Sequence, residues 1–535
     1  MPGSLISSRV LKVGYGRGFN PVCFIPALIS GVLLSLSFPR PSLWPLSFIA
    51  LIPLFLACYG KELKVAFGLG YLAGLVHAAM LLYWLLKVLT FYGGLHFLLA
   101  LPVFYLFIAY LAFYLAFFML GLRLGEKYLK LIPGSLPWIL AGAALYTGLE
   151  YFKGFFLSGF PWEPLGAALM ANLSLVQFSD IVGTGGLTFI VVMVNLCFFA
   201  LGLQYKAGRL KTLLIPGALI LIALGGLWIY GHYRLAEIEA MIARSQKNKV
   251  AVAQGNIDQA HKWDPGFRVS ILKNYRDLTL EAAKENPWLI IWPEAAAPFF
   301  FPNDPGETAW LRNLVKQIDK PLLFGSPAYE NQGNSPEYYN RAYLLDEQGE
   351  IRGYYDKVHL VPYGEYVPFK RFFPFLGKIT RAVGDYSGGK RDQLIALKGE
   401  QLGVLICYES LFAGLARRRV AQGANYLVNL SNDAWYGHTS APYQLLSQSR
   451  LRAVENRRTV IRAANTGISA LIWPTGEIVG KLDFSQRGLL VGLAPSMSEK
   501  SVYTLIGDII PQICLGIAVI IFAAGFIRRR RCLRI

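Results

Sequence analysis

The chain has 535 residues, of which 54% are hydrophobic and only 16% are charged. Soluble domains carry about a quarter charged residues, so this composition excludes a disordered chain and a simple cytosolic enzyme. It indicates a membrane protein that also has a soluble domain. The net charge of +19 would suit a nucleic-acid partner, but its distribution along the chain favours another explanation.

The six cysteines are widely spread, and no two of them form a CxxC pair. This spacing predicts neither a zinc ribbon nor a disulfide framework. The chain has six histidines and no HExxH pattern. We therefore expect no metal site and no cofactor.

Eight apolar segments are predicted to be membrane-spanning helices, since about 20 apolar residues cross a bilayer. They are 23–39, 43–59, 65–88, 93–122, 136–153, 179–203, 213–231 and 503–527. Pro102 predicts tilt or a kink in the fourth segment, and glycines after Asp180 leave the start of the sixth open. The first segment follows basic residues as a signal peptide would, but no small-residue cleavage site follows it. A retained anchor is therefore predicted.

Lysine and arginine are unevenly distributed between the predicted loops. If the N-terminus is cytoplasmic, the inside segments hold 16 of these residues and the short outside segments hold 3. The inside residues are Arg9, Lys12, Arg17, Lys61, Lys64, Arg123, Lys127, Lys130, Lys206, Arg209, Lys211, Arg528, Arg529, Arg530, Arg531 and Arg534, and the outside residues are Arg40, Lys87 and Lys153. Cytoplasmic loops carry such an excess. We therefore interpret the positive charge as a topological signal, and we expect no nucleic-acid partner.

This orientation predicts three parts. Residues 1–231 form an N-terminal membrane domain with about seven helices, and residues 503–535 form a last helix with a basic cytoplasmic tail. Residues 232–502 lie outside the cytoplasm, which in a bacterium is the periplasm. Both termini are then cytoplasmic.

Residues 232–502 have the pattern of an α/β domain, because short apolar runs alternate with helical stretches. The predicted strands are Val250–Gln254, Trp288–Trp292, Pro321–Gly325, Arg341–Leu345, Gly403–Cys407, Tyr426–Leu430 and Ala470–Trp473. The predicted helices include Phe267–Glu285 and Ala441–Asn456. Loops after strand ends commonly carry the chemistry of such folds.

Glu294 directly follows one predicted strand, in Trp-Pro-Glu-Ala after the apolar run 289–291. A carboxylate at the end of a buried strand is partly desolvated, which suits a general base. A helix cap or an ion-pair partner is the structural alternative for this residue.

Lys357 lies in Tyr-Asp-Lys-Val-His-Leu-Val-Pro, which Gly364 and Glu365 follow. A lysine among aromatic and apolar residues can supply a fixed positive charge, although a snorkelling or ion-paired lysine is the alternative. His359 could be a base, but in an alternating strand we interpret it as a packed or surface side chain.

Cys407 ends the strand-like run 402–406 and is followed by Tyr408 and Glu409. A thiol at an elbow between a strand and a loop is well placed to be a nucleophile. A buried, inert cysteine is an equally good interpretation. The other five cysteines lie in or at predicted spans or in the basic tail.

Glu294, Lys357 and Cys407 follow one another at intervals of 63 and 50 positions, each at the end of a β element. This order resembles the Glu-Lys-Cys triad of the nitrilase superfamily. A domain of this kind between seven spans and one span resembles the apolipoprotein N-acyltransferase family. The motifs that carry the resemblance include Phe160-Pro161-Trp162, Gln254-Gly255-Asn256-Ile257, Lys262-Trp263, Lys357 to Glu365, Cys407-Tyr408-Glu409 and Ser431 to Gly437.

The resemblance implies a multi-span α-helical membrane bundle plus an α/β nitrilase-like α-β-β-α sandwich domain. It implies transfer of an acyl chain from a membrane phospholipid to the N-terminal diacylglyceryl-cysteine of an apolipoprotein, at the bacterial inner membrane. This reaction is the last step of lipoprotein maturation in that family. Glu294 would be the base, Lys357 would stabilise negative charge, and Cys407 would carry the acyl group as a thioester.

Further residues receive roles through the same resemblance. Glu365 would support Lys357, and Tyr408 and Glu409 would act beside the nucleophile, with an ion pair as the alternative for Glu409. Trp263 and Trp435 would shape the acyl entrance, and core packing is an equally good interpretation of both. Trp162 lies in the stretch 155–166, which would line that entrance or form an interfacial aromatic belt. We expect a monomer.

Three alternatives have other functions. A membrane-tethered amidase or nitrilase would pass the thioester to water, although a single span would suffice as a tether. A transporter with an inactive outer domain would use intramembrane charges, for which Asp180 and Glu150 are the acidic candidates. A polyprenyl-phosphate transferase lacks support, because no Gly-rich phosphate loop or paired-carboxylate motif is present.

Overall fold

A helical part and an α/β part make up the chain. The computed structural model describes residues 21–332, 335–366, 386–390 and 393–534. The helical part runs to Arg244 and resumes at Val502, so the predicted boundary at residue 231 falls inside a helix. Three of the basic residues counted as cytoplasmic, Arg9, Lys12 and Arg17, lie outside the described residues.

The helical part has six longer helices and several short ones among the described residues. Its helices are α1 (Phe24–Leu36), α2 (Ile52–Cys58), α3 (Leu63–Leu81), α4 (Trp84–Lys87), α5 (Phe97–Tyr128), α6 (Leu136–Lys153), α7 (Leu173–Val176), α8 (Ser179–Lys206), α9 (Leu214–Arg244), α14 (Val502–Ile506) and α15 (Ile509–Arg534). Within the described chain, five segments are long and apolar enough to cross a membrane. They are Leu63–Leu81, Phe97–Tyr128, Ser179–Lys206, Leu210–Arg244 and Ile509–Cys532.

The other three predicted spans differ from these five. Helix α1 has 13 residues and is shorter than the predicted segment 23–39. The segment 43–59 is broken into a 3₁₀ helix at Trp44–Phe48 and the short α2, whose first turn contains Pro53. Helix α6 has the predicted bounds, but it is less apolar than the five segments that are able to cross a membrane.

Helix α8 contains a kink that explains why its start could not be placed from the sequence. Gly183 has a φ of 66° inside the helix, a conformation that side chains with a Cβ rarely adopt. A Cβ at Gly183 would also lie 2.6 Å from the ring of Tyr503. The glycine therefore lets α14 pack closely against this part of the bundle.

The α/β part contains two six-stranded sheets. The strands are β1 (Lys247–Gln254), β2 (Leu289–Ile291), β3 (Leu322–Gln332), β4 (Ser335–Leu345), β5 (Ile351–Asp356), β6 (Ile395–Leu397), β7 (Glu400–Ile406), β8 (Tyr426–Ser431), β9 (Thr459–Ala464), β10 (Ser469–Ile472), β11 (Ile478–Leu482) and β12 (Gly488–Pro495). One sheet has the order β12-β1-β2-β3-β4-β5 and the other has the order β11-β10-β9-β8-β7-β6. Strands β1-β2-β3 and β7-β8-β9 are parallel, so their carboxyl ends share an edge.

A buried apolar layer separates the two sheets, and helices cover their outer faces. Alternate residues of β1 and β7, such as Val250, Val252, Leu402 and Val404, fill the layer between the sheets. Helices α10 (Pro265–Lys284) and α11 (Pro305–Ile318) cover the first sheet, and α12 (Ala413–Ala421) and α13 (Ala441–Asn456) cover the second. This arrangement confirms the predicted α-β-β-α sandwich beside a helical bundle.

All seven predicted strands are present, but five further strands were not predicted. These are β5, β6, β9, β11 and β12. Strand β9 has the sequence Thr-Val-Ile-Arg-Ala-Ala, and its central Arg462 interrupts the apolar run. Arg462 is nevertheless buried, because its guanidinium pairs with Asp433 at 2.7 Å. A charged residue can lie in a buried strand only when it has such a partner.

A buried charge cluster fastens the α/β part to the helices. The carboxylate of Asp180 in α8 accepts hydrogen bonds from the Tyr230 hydroxyl and the Arg234 guanidinium of α9, each at 2.7 Å. It also pairs at 2.8 Å with Arg457, which ends α13 of the α/β part. Three elements therefore share one carboxylate.

Glu150, the second acidic candidate for a transport path, also forms hydrogen bonds within the protein. Its two carboxylate oxygens accept hydrogen bonds from the Leu165 amide at 2.8 Å and the Thr188 hydroxyl at 2.7 Å. Both candidate path residues, Glu150 and Asp180, thus hold parts of the protein together. These contacts remove the main argument for a transport path.

Asp180→Asn is expected to lower the free energy of unfolding by about 3 kcal/mol, because it leaves the buried Arg457 and the partly buried Arg234 without their shared anion. Thermal unfolding of the detergent-purified protein measures this loss. Asp483→Asn is the matched control, since Asp483 forms a half-exposed pair with Lys481 and its loss is expected to cost about 0.5 kcal/mol or less. Equal effects of the two substitutions would contradict the role given to Asp180.

Candidate active site

The three residues singled out by the sequence lie at strand ends and are buried. Glu294 follows β2, Lys357 follows β5 and Cys407 follows β7. Their exposed fractions are 7%, 2% and 7%, respectively. The two facing sheets bring these strand ends together, since Glu294 and Lys357 both act electrostatically on the Cys407 thiol.

Lys357 lies between two carboxylates. Its Nζ is 3.6 Å from Oε1 of Glu294 and 2.9 Å from Oε2 of Glu365. The side-chain amide of Asn340 donates to Glu294 at 2.7 Å and to Glu365 at 2.9 Å. Burial alone would lower the pKa of Lys357, but the charges of Glu365 and Glu294 raise it above its usual value. The ammonium group therefore stays protonated.

Cys407 occupies a tight elbow. Its φ is 51°, and a 3₁₀ turn at Cys407–Leu411 begins directly at this residue. A positive φ is rare for residues other than glycine, and such strain is concentrated at functional sites. The geometry agrees with the predicted elbow between strand and loop.

The thiol of Cys407 is neutral at rest. Its pKa is raised to about 12, mainly by burial and also by the charge of Glu294, while the charge of Lys357 opposes both effects. The sequence led us to expect that Lys357 would favour the thiolate. In the structure, burial outweighs Lys357, so a nucleophilic thiol needs a base that removes its proton during attack.

Glu409 connects the tight elbow at Cys407 to the loop that follows Lys357. Its carboxylate accepts hydrogen bonds from the amides of Ile406 at 2.8 Å, Val358 at 2.7 Å and His359 at 3.0 Å. The hydroxyl of Tyr355 donates to the same carboxylate at 2.8 Å. The sequence analysis left open that Glu409 forms an ion pair. Among the described residues, its carboxylate accepts these hydrogen bonds instead. Glu409 therefore holds the chain at Cys407 and the loop after Lys357 together.

An aromatic layer lies between the thiol and the helical bundle. Tyr408 is buried, its hydroxyl donates to the Gly159 carbonyl at 3.3 Å, and its ring stacks on Trp162 with centroids 6.5 Å apart. The Trp162 indole donates to Gln444 at 2.8 Å. The Trp162 side chain is therefore fixed by packing and by a hydrogen bond. His359 is also packed, with its ring centroid 3.7 Å from that of Phe412, as the sequence interpretation predicted.

Trp263 and Trp435 lie nearer the surface than Trp162. Trp263 is 49% exposed, which excludes core packing for this residue. Trp435 is partly buried, and its ring contacts that of Tyr92 at 5.3 Å. Their assignment to substrate binding remains a prediction.

Sequence reasoning gave no role to two polar residues of this site. Asn340 is a buried amide in β4 that bonds both carboxylates, and only its position in an aromatic strand could have indicated it. Lys262 was noted only as part of a motif. Its Nζ donates to the main-chain oxygen of Glu294 at 3.0 Å, and burial lowers its pKa to about 8.

Asn432 and Asp433, in the motif Ser431 to Gly437, also have buried partners. Asp433 pairs with Arg462, and the amide of Asn432 donates to Gln259 at 2.7 Å. Within the described residues, no group of three or more His, Cys, Asp or Glu side chains is arranged to hold a metal ion.

Alkylation of Cys407 by iodoacetamide, without an acyl donor, is expected to rise about tenfold per pH unit from about pH 6 to pH 9. The reason is that a thiol with a raised pKa has little thiolate in this range, and only the thiolate is alkylated. Mass spectrometry of the Cys407 peptide gives the rate at each pH. Glutathione, as an unperturbed thiol, should level off near its pKa of about 8.5. A plateau for Cys407 below pH 8 would contradict a neutral resting thiol.

Two protein families and a solved structure match parts of the chain. Residues 249–497 match the carbon–nitrogen hydrolase family, and residues 30–197 match the apolipoprotein N-acyltransferase N-terminal domain. An amidase from Nesterenkonia sp. is similar in structure, with a TM-score of 0.36 and 24% identity, and the match covers 47% of this chain and 92% of the amidase.

Curated relatives match over more of the chain. An apolipoprotein N-acyltransferase of Allorhizobium ampelinum is 35% identical and covers 81% of this chain and 80% of its own length. One of Geobacter metallireducens is 37% identical over 512 residues, which is 95% of this chain and 96% of the relative. With this identity over nearly its whole length, the chain belongs to the apolipoprotein N-acyltransferase family of the nitrilase superfamily.

Proposed function

We propose that the protein transfers an acyl chain from a membrane phospholipid to the α-amine of the diacylglyceryl-cysteine of an apolipoprotein. Membership of the family supports acyl transfer to apolipoproteins. The observation that carries the proposed chemistry is the convergence of Glu294, Lys357 and the strained Cys407 in one buried cluster. These residues act as base, electrostatic stabiliser and nucleophile, respectively.

The first half-reaction forms a thioester. Glu294 takes the proton from Cys407 as the sulfur attacks the ester carbonyl of the phospholipid, and the carbonyl oxygen becomes an oxyanion. The tetrahedral intermediate collapses and breaks the bond between the acyl carbon and the glycerol oxygen. Glu294 returns its proton to that oxygen, and a lysophospholipid leaves. Covalent catalysis thus divides one difficult transfer into two steps.

The second half-reaction discharges the thioester to the amine. The α-amine attacks the thioester carbonyl, and Glu294 takes a proton from the amine nitrogen. Collapse of this intermediate breaks the carbon–sulfur bond, and the sulfur of Cys407 takes the proton back from Glu294. The products are an N-acyl amide and the resting thiol.

The charge arrangement around Lys357 suits both steps. At rest its ammonium group is balanced by Glu294 and Glu365. When Glu294 is protonated, one of these negative charges is removed, and the ammonium group can stabilise the oxyanion. We propose that the main-chain amide of Tyr408, directly after Cys407, shares that task.

The position of the site beside the helices suits a lipid donor. Trp162 contacts Tyr408 on one side and lines a cavity of about 70 Å³ in the helical bundle on the other. An aromatic wall of this kind keeps water from the thioester, whose hydrolysis would waste the acyl chain. Trp263 and Trp435, near the surface, are proposed to guide the substrates to Cys407.

We propose that the α/β part is periplasmic and that the described basic ends of the helices are cytoplasmic. Arg123 donates to the main chain of Lys61 at 2.7 Å, and Arg528 donates to the main chain of Tyr128 at 3.3 Å. The basic loops and the tail therefore lie at the same end of the bundle. Arg40, from the other set of loops, lies against Tyr443 of the α/β part. This separation supports the orientation inferred from the excess of lysine and arginine.

Acyl transfer is expected when the detergent-purified protein is mixed with a phospholipid and a diacylglyceryl-cysteine peptide. The peptide should gain one acyl chain as an amide, which mass spectrometry detects. Cys407→Ala, Glu294→Gln and Lys357→Met should each lower the rate about 100-fold or more. Cys532→Ser should keep the full rate, because this cysteine is exposed and lies in the tail.

Two results of this assay would contradict the proposed function. Release of free fatty acid without acylation of the peptide would identify a hydrolase, which is the amidase alternative. Full activity of Cys407→Ala would exclude the thioester mechanism.

A further inference from the structure

A second buried lysine balances the charges immediately around Glu294. Glu294 and Glu365 carry two negative charges, and Lys357 between them supplies one positive charge. This group alone would have a net charge of −1, which is unfavourable for a reaction that creates an oxyanion. Lys262 is 3% exposed, and it lies close enough to act electrostatically on the Glu294 carboxylate and on the thiolate form of Cys407. With Lys262, the four groups are neutral.

The ammonium group of Lys262 can also donate more hydrogen bonds than it makes. Its Nζ donates once, to the main-chain oxygen of Glu294 at 3.0 Å, and this is its one side-chain hydrogen bond among the described residues. An ammonium group has three N–H donors, so two remain for another acceptor. Lys357 differs, because its Nζ already contacts Glu294 and Glu365.

Hydrogen bonds fix the position of the loop that carries Lys262. It follows β1, whose carboxyl end lies beside that of β2. The amide of Ile257 donates to the Asn465 side chain at 2.9 Å, and the amide of Lys262 donates to the Asp258 carbonyl at 3.1 Å. Asn465 directly follows β9 of the other sheet. Both sheets therefore position this lysine, as preorganised stabilisation of charge requires.

We propose that Lys262 is a further catalytic residue that donates a hydrogen bond to the oxyanion in both half-reactions. As the bond from sulfur or nitrogen to the acyl carbon forms, the carbonyl π electrons move to oxygen, and the Lys262 ammonium group stabilises that oxygen. No proton leaves Lys262, and the electrons return when the leaving group departs. This inference rests on the proposed function, since it assumes acyl transfer through Cys407.

The test compares thioester formation in the wild-type protein, Lys262→Met and Lys262→Arg with two donors. One donor is a phospholipid, and the other is a p-nitrophenyl fatty-acid ester, which has no phosphate. Lys262→Met should lower the rate of thioester formation about 100-fold or more with both donors, with little change in KM. Lys262→Arg should recover part of the rate, because it keeps the positive charge.

Two controls distinguish a catalytic role of Lys262 from a structural role. Lys249→Met should leave every rate unchanged, since Lys249 is an exposed lysine that also donates to a main-chain carbonyl, that of Glu285 at 2.9 Å. Alkylation of Cys407 by iodoacetamide passes through no oxyanion. Lys262→Met should therefore change the alkylation rate less than tenfold.

Three outcomes would overturn the inference. A defect with the phospholipid alone would mean that Lys262 contacts the donor phosphate. An equal fall of alkylation and acylation would mean that it only holds Glu294 in place, and wild-type rates in Lys262→Met would mean that it has no role. Failure of the wild-type protein to form a thioester with the phospholipid would instead contradict the proposed function itself.

Discussion

The structure depends on keeping a charged lysine and a neutral thiol together in a buried site. Two carboxylates, Glu294 and Glu365, keep the Lys357 ammonium group charged. The same burial and the charge of Glu294 keep the Cys407 thiol protonated. In the proposed mechanism, Glu294 accepts the thiol proton, which creates the nucleophile and removes one of the two negative charges beside Lys357. For an enzyme that faces both lipid and water, a nucleophile formed only during attack limits side reactions.

The second constraint is the attachment of this site to the membrane helices. Asp180 ties α8 and α9 to the end of α13. Tyr408, beside the nucleophile, bonds the Gly159 carbonyl of the helical part. The nucleophile elbow thus has direct contacts with the bundle. Among the described residues, the helical part therefore does more than tether the α/β part, because it contacts the site directly.

The sequence predicted the fold class, because apolar spans and short strands have distinct periodicities. It also predicted the strands that precede Glu294 and Cys407, whereas β5, which precedes Lys357, was not among the predicted strands. It could not predict β9, because Arg462 looks unsuited to a buried strand until Asp433 is known to be its partner. The roles of Glu409 and Asn340 depend on contacts between residues 46 to 51 positions apart. Neither periodicity nor local spacing contains that information.

The most direct test of the central claim is the intact mass of the protein after mixing with a defined phospholipid and no acceptor. The account predicts an increase by one acyl chain that neutral hydroxylamine removes and that is absent in Cys407→Ser. Addition of a diacylglyceryl-cysteine peptide should then return the protein to its original mass. A folded protein that gains no acyl chain, or a Cys407→Ser variant that gains the same hydroxylamine-sensitive adduct, would contradict Cys407 as the acyl carrier.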